Sequence, residues 1–113
     1  MQQESIAIAH ANVLPELTGS EPEQLAKAIK AMASPLRLKI LCVLSDQEMT
    51  VGMIVDGTGG SQSNISQHLD RLHSKGILVS RKEANRIYYR IRDAQVLDLI
   101  ALMRSLFCHT QLS

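Results

Sequence analysis

The segment from Ser61 to Leu78 carries hydrogen-bonding side chains in a pattern suited to contacts with nucleic acid. At about 100° per residue, Ile65, Leu69 and Leu72 fall on one side of a helix, and serine, glutamine and arginine side chains fall on the other. These polar residue types contact base edges and phosphates when a helix enters a DNA major groove. A solvated surface helix has the same pattern. The helix alone therefore leaves both interpretations open.

The two cysteines, Cys42 and Cys108, are the other side chains able to do chemistry. A thiolate is both a nucleophile and a metal ligand, so the pair could form a redox or metal site. No CxxC spacing is present, and Cys42 lies within an apolar run, Ile40–Leu44. A free cysteine in such surroundings commonly behaves as a small buried hydrophobe. The residues alone do not decide between these roles.

Two predicted helices and a glycine-rich turn position the polar face. Thr50 to Asp56 forms a short helical segment, and glycines at positions 57, 59 and 60 are expected to break it. Ser61 is suited to cap the next helix with its hydroxyl, and Gly76 suits the left-handed conformation that ends a helix. Two helices joined by a glycine turn predict a helix-turn-helix.

A β-hairpin is predicted directly after this motif. Ile77–Arg81 and Arg86–Ile91 are short runs of β-favouring residues with an alternating pattern, and Lys82–Asn85 separates them. The tip of this hairpin would meet phosphates or the minor groove through Lys82, Asn85 and Arg86.

Charge is concentrated in the same half of the chain. Residues 61–92 contain seven basic and two acidic side chains, a local balance of +5, although the whole chain carries only +1. Residues 1–24 contain four glutamates and neither lysine nor arginine. An electrostatic footprint for phosphates is therefore expected on the helix-turn-helix and hairpin.

The remaining helices supply the body of the domain. We predict helices at Glu23–Met32 and from Pro35 to Leu44 or Ser45, the second capped by Ser34. The last helix, Ala94–Cys108, is apolar around nearly its whole circumference and must bury more than one face. The expected fold is mainly α with a small β-hairpin wing, a winged helix-turn-helix that forms a homodimer through its first and last helices. The alternative is a monomer with a central last helix.

Length and composition limit the domain organisation and function. At 113 residues the chain is expected to form one domain over residues 22–113, preceded by a mobile N-terminal arm over residues 1–21. The arm lacks the basic start of a signal peptide and is too polar to cross a membrane, so we expect a cytoplasmic protein. No phosphate-binding loop or nucleophile elbow is present, so an enzyme is not predicted.

Three segments together resemble the ArsR/SmtB family of bacterial winged-helix repressors. They are AMASPLRLKILCVL (31–44), SQSNISQHLDRLHSKGIL (61–78) and RIYYRI (86–91). The resemblance implies a homodimer that binds double-stranded operator DNA, blocks transcription and dissociates when an effector acts.

We expect this protein to contact DNA through the polar helix and the wing. Ser63 and Gln67 are the strongest candidates for base contacts, and Arg71 is expected to bind phosphate. The full set of predicted DNA-binding residues is Ser61, Gln62, Ser63, Asn64, Ser66, Gln67, His68, Arg71, Lys82, Asn85 and Arg86.

The sequence departs from the metal-sensing patterns of the family. The stretch EMTVGMIV (48–55) has Thr50 and Gly52 where an arsenic or cadmium sensor would carry thiolates. Of the zinc-sensing positions on the last helix, Asp93 and His109 remain, and two ligands cannot complete a tetrahedral zinc site. No metal site or cofactor is predicted, and a metal response through Cys108 and the adjacent histidine remains an alternative.

The cysteines match a dithiol branch of the family, the sulfide-linked and biofilm-linked repressors SqrR and BigR. That branch has one cysteine in an LC-containing motif of the second helix and one after an aromatic residue near the end of the last; LCVL and LFC match both. The resemblance implies sensing of persulfide or polysulfide donors through a Cys42–Cys108 bridge that releases DNA. A general oxidant response and a winged helix used only for protein contacts are the alternatives.

Overall fold

The computed structural model describes residues 15–108, which form five helices and one two-stranded hairpin. The predicted winged helix-turn-helix architecture is confirmed. The elements are α1 (Glu21–Met32), α2 (Pro35–Leu44), α3 (Val51–Thr58), α4 (Gln62–Ser74), β1 (Leu78–Glu83), β2 (Arg86–Ile91) and α5 (Gln95–Phe107). Most of the predicted N-terminal arm lies outside the described residues. α1 begins at Glu21, two residues earlier than predicted, with Pro22 in its first turn.

Side-chain caps set the starts of α2, α3 and α4. In each helix a hydroxyl on the residue before the first turn accepts a hydrogen bond from a backbone N–H three residues later, which would otherwise lack a partner. The caps predicted for Ser34 and Ser61 are confirmed. The oxygen to nitrogen distances are 3.3 Å from Ser34 to Arg37, 3.3 Å from Thr50 to Met53, and 3.2 Å from Ser61 to Asn64.

The turn between α3 and α4 begins later than predicted. Gly57 lies inside α3, and Gly59 ends that helix in the left-handed conformation, with φ of 77°. The reason for a glycine at position 57 is steric, because a Cβ there would lie 2.7 Å from Cγ1 of Val43 on α2. Gly57 therefore permits α2 and α3 to approach closely.

The hairpin is longer than predicted. β1 extends to Glu83, because Lys82 pairs with Ile87 and Glu83 with Arg86, and the turn shortens to two residues, of which Ala84 has φ of 57°. The base of the hairpin is held by the segment before α3. Backbone hydrogen bonds of 3.0 and 2.8 Å join Met49 and Tyr89 in both directions.

The core lies where α2, α3, α4 and β1 meet. Leucine and isoleucine side chains fill it, and burying each such side chain contributes about 1.5–3 kcal/mol. The predicted apolar face of α4 is confirmed as part of this core. The fully buried side chains are Ile40, Leu41, Leu44, Ile54, Ile65, Leu69, Leu72 and Leu78.

α5 lies at the edge of this core. Val96, Leu97 and Ile100 pack against the core and are partly buried, and no residue of this helix is fully buried. Its later turns expose large apolar side chains, up to 72% for Phe107. None of the described helices is both long enough and apolar enough to cross a membrane.

Two glycines of α3 provide a matched test of the α2–α3 contact. Gly52→Ala should raise the free energy of unfolding by up to about 1 kcal/mol, because alanine favours helix and the nearest atom to the new Cβ is 3.9 Å away. Gly57→Ala should be about 1–3 kcal/mol less stable than Gly52→Ala, because its Cβ would overlap Val43. Urea unfolding measures both variants, and equal stabilities would show that α2 and α3 do not pack this tightly.

Candidate DNA interface and thiol pocket

The polar face of α4 is exposed along its length. The predicted contact residues Ser63, Gln67 and Arg71 are exposed, and so are Ser61, Gln62 and Asn64 near the start of the helix. The opposite face supplies Ile65, Leu69 and Leu72 to the core with no exposed surface. Because the core fixes the rotation of α4 about its axis, this polar face must point outward.

His68 and Ser66 differ from the other predicted contact residues because they are only half-exposed. Nδ1 of His68 is buried and makes no hydrogen bond among the described residues. Burial lowers the pKa of His68, and the positive charges of Arg37 and Arg71 lower it further, so its surroundings favour the neutral imidazole. The structure places His68 at the edge of the polar face, in the field of Arg37 on α2.

The wing tip carries unpaired polar and basic side chains. Lys82, Asn85 and Arg86 are exposed, and their side chains form no hydrogen bond or ion pair within residues 15–108. They are therefore available to an anionic partner such as a phosphate.

Other basic residues of this region are engaged within the protein. Arg81 forms ion pairs with Glu48 and Glu83, and Arg92 lies 3.3 Å from Asp93. These contacts reduce the free positive charge below the local balance of +5. The ion pair between Glu48 and Arg81 has no signal in the sequence, because the two residues are 33 positions apart.

A second candidate site is a cavity of about 790 Å³ between α1, α2 and α5. Cys42 and Cys108 both line it, and both thiols are free and exposed. The structure therefore brings the two cysteines to one cavity, named here the thiol pocket, and neither of them is a buried core residue. The other lining residues are Ile29, Met32, Ala33, Leu38, Lys39, Leu99, Ile100, Met103, Arg104 and Phe107.

Among the described residues that line the thiol pocket, the charged side chains are Lys39 and Arg104, and both are cationic. Lys39 precedes Cys42 by three residues on α2, and Arg104 precedes Cys108 by four, so each cysteine has a cation one helical turn away. The remaining lining is apolar. The pocket can therefore attract a small anion and supply two thiols to it.

No candidate metal centre is found among residues 15–108, where no group of three or more His, Cys, Asp and Glu side chains is close enough to hold an ion. Asp93, one of the two zinc-sensing positions retained in the sequence, is paired with Arg92. His109, the other, lies outside the described residues.

Comparison with known families gives a match over residues 34–80 to the model described as "Bacterial regulatory protein, arsR family". These residues include α2, α3 and α4 and the start of the wing. The match therefore falls on the helix-turn-helix and on the helix that carries Cys42.

Individual relatives extend the similarity to most of the chain. The transcriptional activator HlyU of Vibrio cholerae is 42% identical over 86 residues, covering 74% of this chain and 80% of HlyU. The biofilm growth-associated repressor of Xylella fastidiosa is 30% identical over 101 residues, covering 86% and 89% of the two chains. A solved structure of the homodimeric winged helix-turn-helix DNA-binding domain of Mb0332 from Mycobacterium bovis is 31% identical, with a TM-score of 0.72 and coverage of 86% and 93%.

Substitutions of Gln67 and Arg86 should separate base contacts from phosphate contacts. Gln67→Ala should weaken binding to a preferred DNA sequence by about 1–3 kcal/mol while leaving binding to mixed-sequence DNA nearly unchanged. Arg86→Ala should weaken binding to both and lower the dependence of log affinity on log salt by about 1. Fluorescence anisotropy with both DNAs at several salt concentrations measures these effects. Equal losses on both DNAs for Gln67→Ala would contradict its assignment to a base.

Proposed function

Because the chain belongs to the ArsR family of bacterial regulatory proteins and is a DNA-binding transcriptional regulator, we propose that it is a homodimeric repressor controlled by its two thiols. Its reduced form binds operator DNA, and a sulfur bridge between Cys42 and Cys108 releases it. The main support for this proposal is the presence of both cysteines in one pocket. One relative is described as an activator and another as a repressor, so repression, as opposed to activation, is part of the proposal.

The proposed DNA contact uses the exposed face of α4 and the wing tip. α4 enters the major groove, where Ser63 and Gln67 contact bases and Arg71 binds phosphate. Lys82 and Arg86 bind backbone phosphates beside the groove. The support is that these five side chains are all exposed.

The proposed dimer covers the exposed apolar side chains of α1 and α5. Seven large apolar residues on these helices are 43% or more exposed, which is a costly surface to leave in water. A two-fold dimer would place two copies of α4 on half-sites about one DNA turn apart. The seven residues are Leu25, Ile29, Leu99, Leu102, Met103, Leu106 and Phe107.

The proposed chemistry needs no oxidant other than the persulfide. The thiolate of Cys42 attacks the outer sulfur of RSSH, which leaves RSH and a persulfide on Cys42. Attack by the thiolate of Cys108 on Sγ of Cys42 then breaks the bond between Sγ and the outer sulfur, which leaves as H₂S and gives a Cys42–Cys108 disulfide. If Cys42 first accepts a second sulfur from another RSSH, attack by Cys108 on the middle sulfur of that chain gives a trisulfide and H₂S.

Coupling to DNA follows from the position of Cys42 on α2. Leu41 and Leu44 lie in the core beneath α4, and Val43 lies against Gly57 of α3. A covalent bridge from Cys42 to α5 would shift α2 and, because cores are close-packed, would move the helix-turn-helix with it. In a dimer this shift changes the spacing of the two α4 helices.

Exposure of the reduced protein to persulfide should bridge the two thiols and release DNA. We expect anaerobic treatment with glutathione persulfide, but not with hydrogen peroxide, to give a Cys42–Cys108 peptide that retains extra sulfur. DNA affinity should fall at least about tenfold, which corresponds to about 1.4 kcal/mol. Mass spectrometry after alkylation of free thiols identifies the bridge, and anisotropy measures the affinity.

The variants Cys42→Ser and Cys108→Ser are the controls, since each should bind DNA and remain bound after persulfide treatment. A plain disulfide in both samples would indicate a general oxidant sensor. Two freely alkylated cysteines after both treatments would exclude a thiol switch and favour a metal or another effector.

Leu102→Glu tests the proposed dimer. The substitution should weaken association about a hundredfold or more, because a two-fold interface would bury the new carboxylate twice, once in each subunit. The matched control is Ile87→Glu on the wing, since Leu102 and Ile87 are 57% and 45% exposed. Sedimentation equilibrium measures both masses. A monomeric wild type, or a Leu102→Glu protein that associates like the wild type, would contradict this interface.

A further inference from the structure

Arg81 and Glu48 form a side-chain clamp between the wing and the segment that precedes α3. Nε of Arg81 donates to Oε1 and Oε2 of Glu48 at 3.0 and 2.9 Å, and a terminal nitrogen donates to Oε1 at 2.8 Å. The other terminal nitrogen contacts the carboxylate of Glu83. The guanidinium carbon lies 4.8 Å from the centre of the Tyr88 ring. All three guanidinium nitrogens of Arg81 are therefore engaged within the protein.

The clamp joins two parts of the fold that are distant in sequence. Glu48 lies in the segment between α2 and α3, and Arg81 lies on β1, immediately before Lys82 of the wing tip. A guanidinium fork fixes direction as well as distance, because its nitrogens and the carboxylate oxygens must be coplanar to form parallel bonds. The hydrogen bond from Arg81 also lowers the pKa of Glu48, which favours the charged carboxylate that the pair requires.

Further contacts hold the base of the wing and leave its tip free. Met49, next to Glu48, pairs with Tyr89 through two backbone hydrogen bonds. From α4, Nε2 of His73 lies 3.1 Å from Oγ of Ser80, and its ring meets Tyr89 edge to face. The clamp is thus the contact nearest to the tip residues that carry the proposed phosphate contacts.

Stability alone gives a weak reason for this arrangement. The side chains of Arg81 and Glu48 are 49% and 33% exposed, and ion pairs with such exposure contribute little to folding. A carboxylate beside a DNA-binding surface also repels phosphates. Neither the stability of the fold nor a general attraction for DNA therefore explains a carboxylate at position 48.

We propose that Glu48 is a positioning residue for DNA binding, which holds the wing at the angle where its tip meets the DNA backbone. Arg81 acts as the partner of Glu48 and does not contact phosphate. This inference depends on the proposed contact between the wing tip and DNA.

The direction in which Glu48→Gln changes DNA affinity distinguishes a positioning role from a purely electrostatic one. Glu48→Gln removes a negative charge and frees Arg81, so electrostatics alone would tighten DNA binding. A positioning role predicts weaker binding, by about threefold to tenfold, and a lower salt dependence because phosphate contacts of the tip are lost. The matched control is Asp46→Asn in the same interhelical segment, because the Asp46 carboxylate is exposed and has no partner among the described residues. It should bind as tightly as wild type or more tightly.

Fluorescence anisotropy at several salt concentrations measures the DNA affinities. The probe is a duplex that the wild-type protein selects from a random library, and its length of about 30 base pairs spans two half-sites. Thermal unfolding checks that the variants fold alike. Arg81→Gln should match Glu48→Gln, and the double variant should lose no more affinity than either single variant. A double variant that loses clearly more than Glu48→Gln would show that Arg81 contacts DNA directly.

The double variant Lys82→Ala and Arg86→Ala separates failure of this inference from failure of the proposed function. Weak binding by this variant together with wild-type or tighter binding by Glu48→Gln would overturn only the clamp. Unchanged binding by the tip variant would show that the wing does not contact DNA, which would overturn the wing contact of the proposed function together with the clamp and leave the α4 contact and the thiol switch to their own tests.

Discussion

Burial of the apolar face of α4 against α2 and α3 is the interaction on which the other features depend. Ile65, Leu69 and Leu72 are completely buried, which fixes both the position of α4 and its rotation about its axis. The polar face that would contact DNA is exposed because the opposite, apolar face is buried in the core. The same packing makes α4 sensitive to α2, so that a change at one helix is transmitted to the other through a close-packed core.

α2 connects the two candidate sites because consecutive residues of a helix point in different directions. Leu41 and Leu44 enter the core, Cys42 lines the thiol pocket, and Val43 lies against Gly57 of α3. One helical turn therefore contacts the core, the pocket and the helix-turn-helix. If Cys42 reacts as proposed, no separate transmitting domain is needed, because the reacting thiol and the packed side chains belong to the same helix.

The charge of the helix-turn-helix and wing depends on which side chains form ion pairs as much as on how many are basic. The chain is close to neutral, and its basic residues are clustered in the helix-turn-helix and wing. Some of these charges are already engaged, as Arg81 is with Glu48, whereas Lys82 and Arg86 at the tip have no partner among the described residues. Under the proposals above, the engaged cations would give the wing a defined geometry, and the unengaged ones would give it affinity for phosphate. Both properties are needed because charge alone attracts DNA without orienting it.

The sequence by itself determined the features that depend on local order along the chain. Ser34 and Ser61 cap their helices as predicted, and the buried face of α4 and the presence of strand β2 follow from apolar spacing and residue type. Tertiary structure decided what depends on residues distant in sequence. Gly57 lies inside α3, where the lack of a side chain lets α2 approach closely, and β1 extends to Glu83 because β2 pairs with it. Glu48 acquires its ion-pair partner only when folding brings Arg81 beside it. Helix caps and apolar periodicity depend on residues within one or two helical turns of each other, so the sequence reveals them. The packing of one helix against another, the register of two strands and the pairing of distant charges depend on how the chain folds, so no local sequence pattern reveals them.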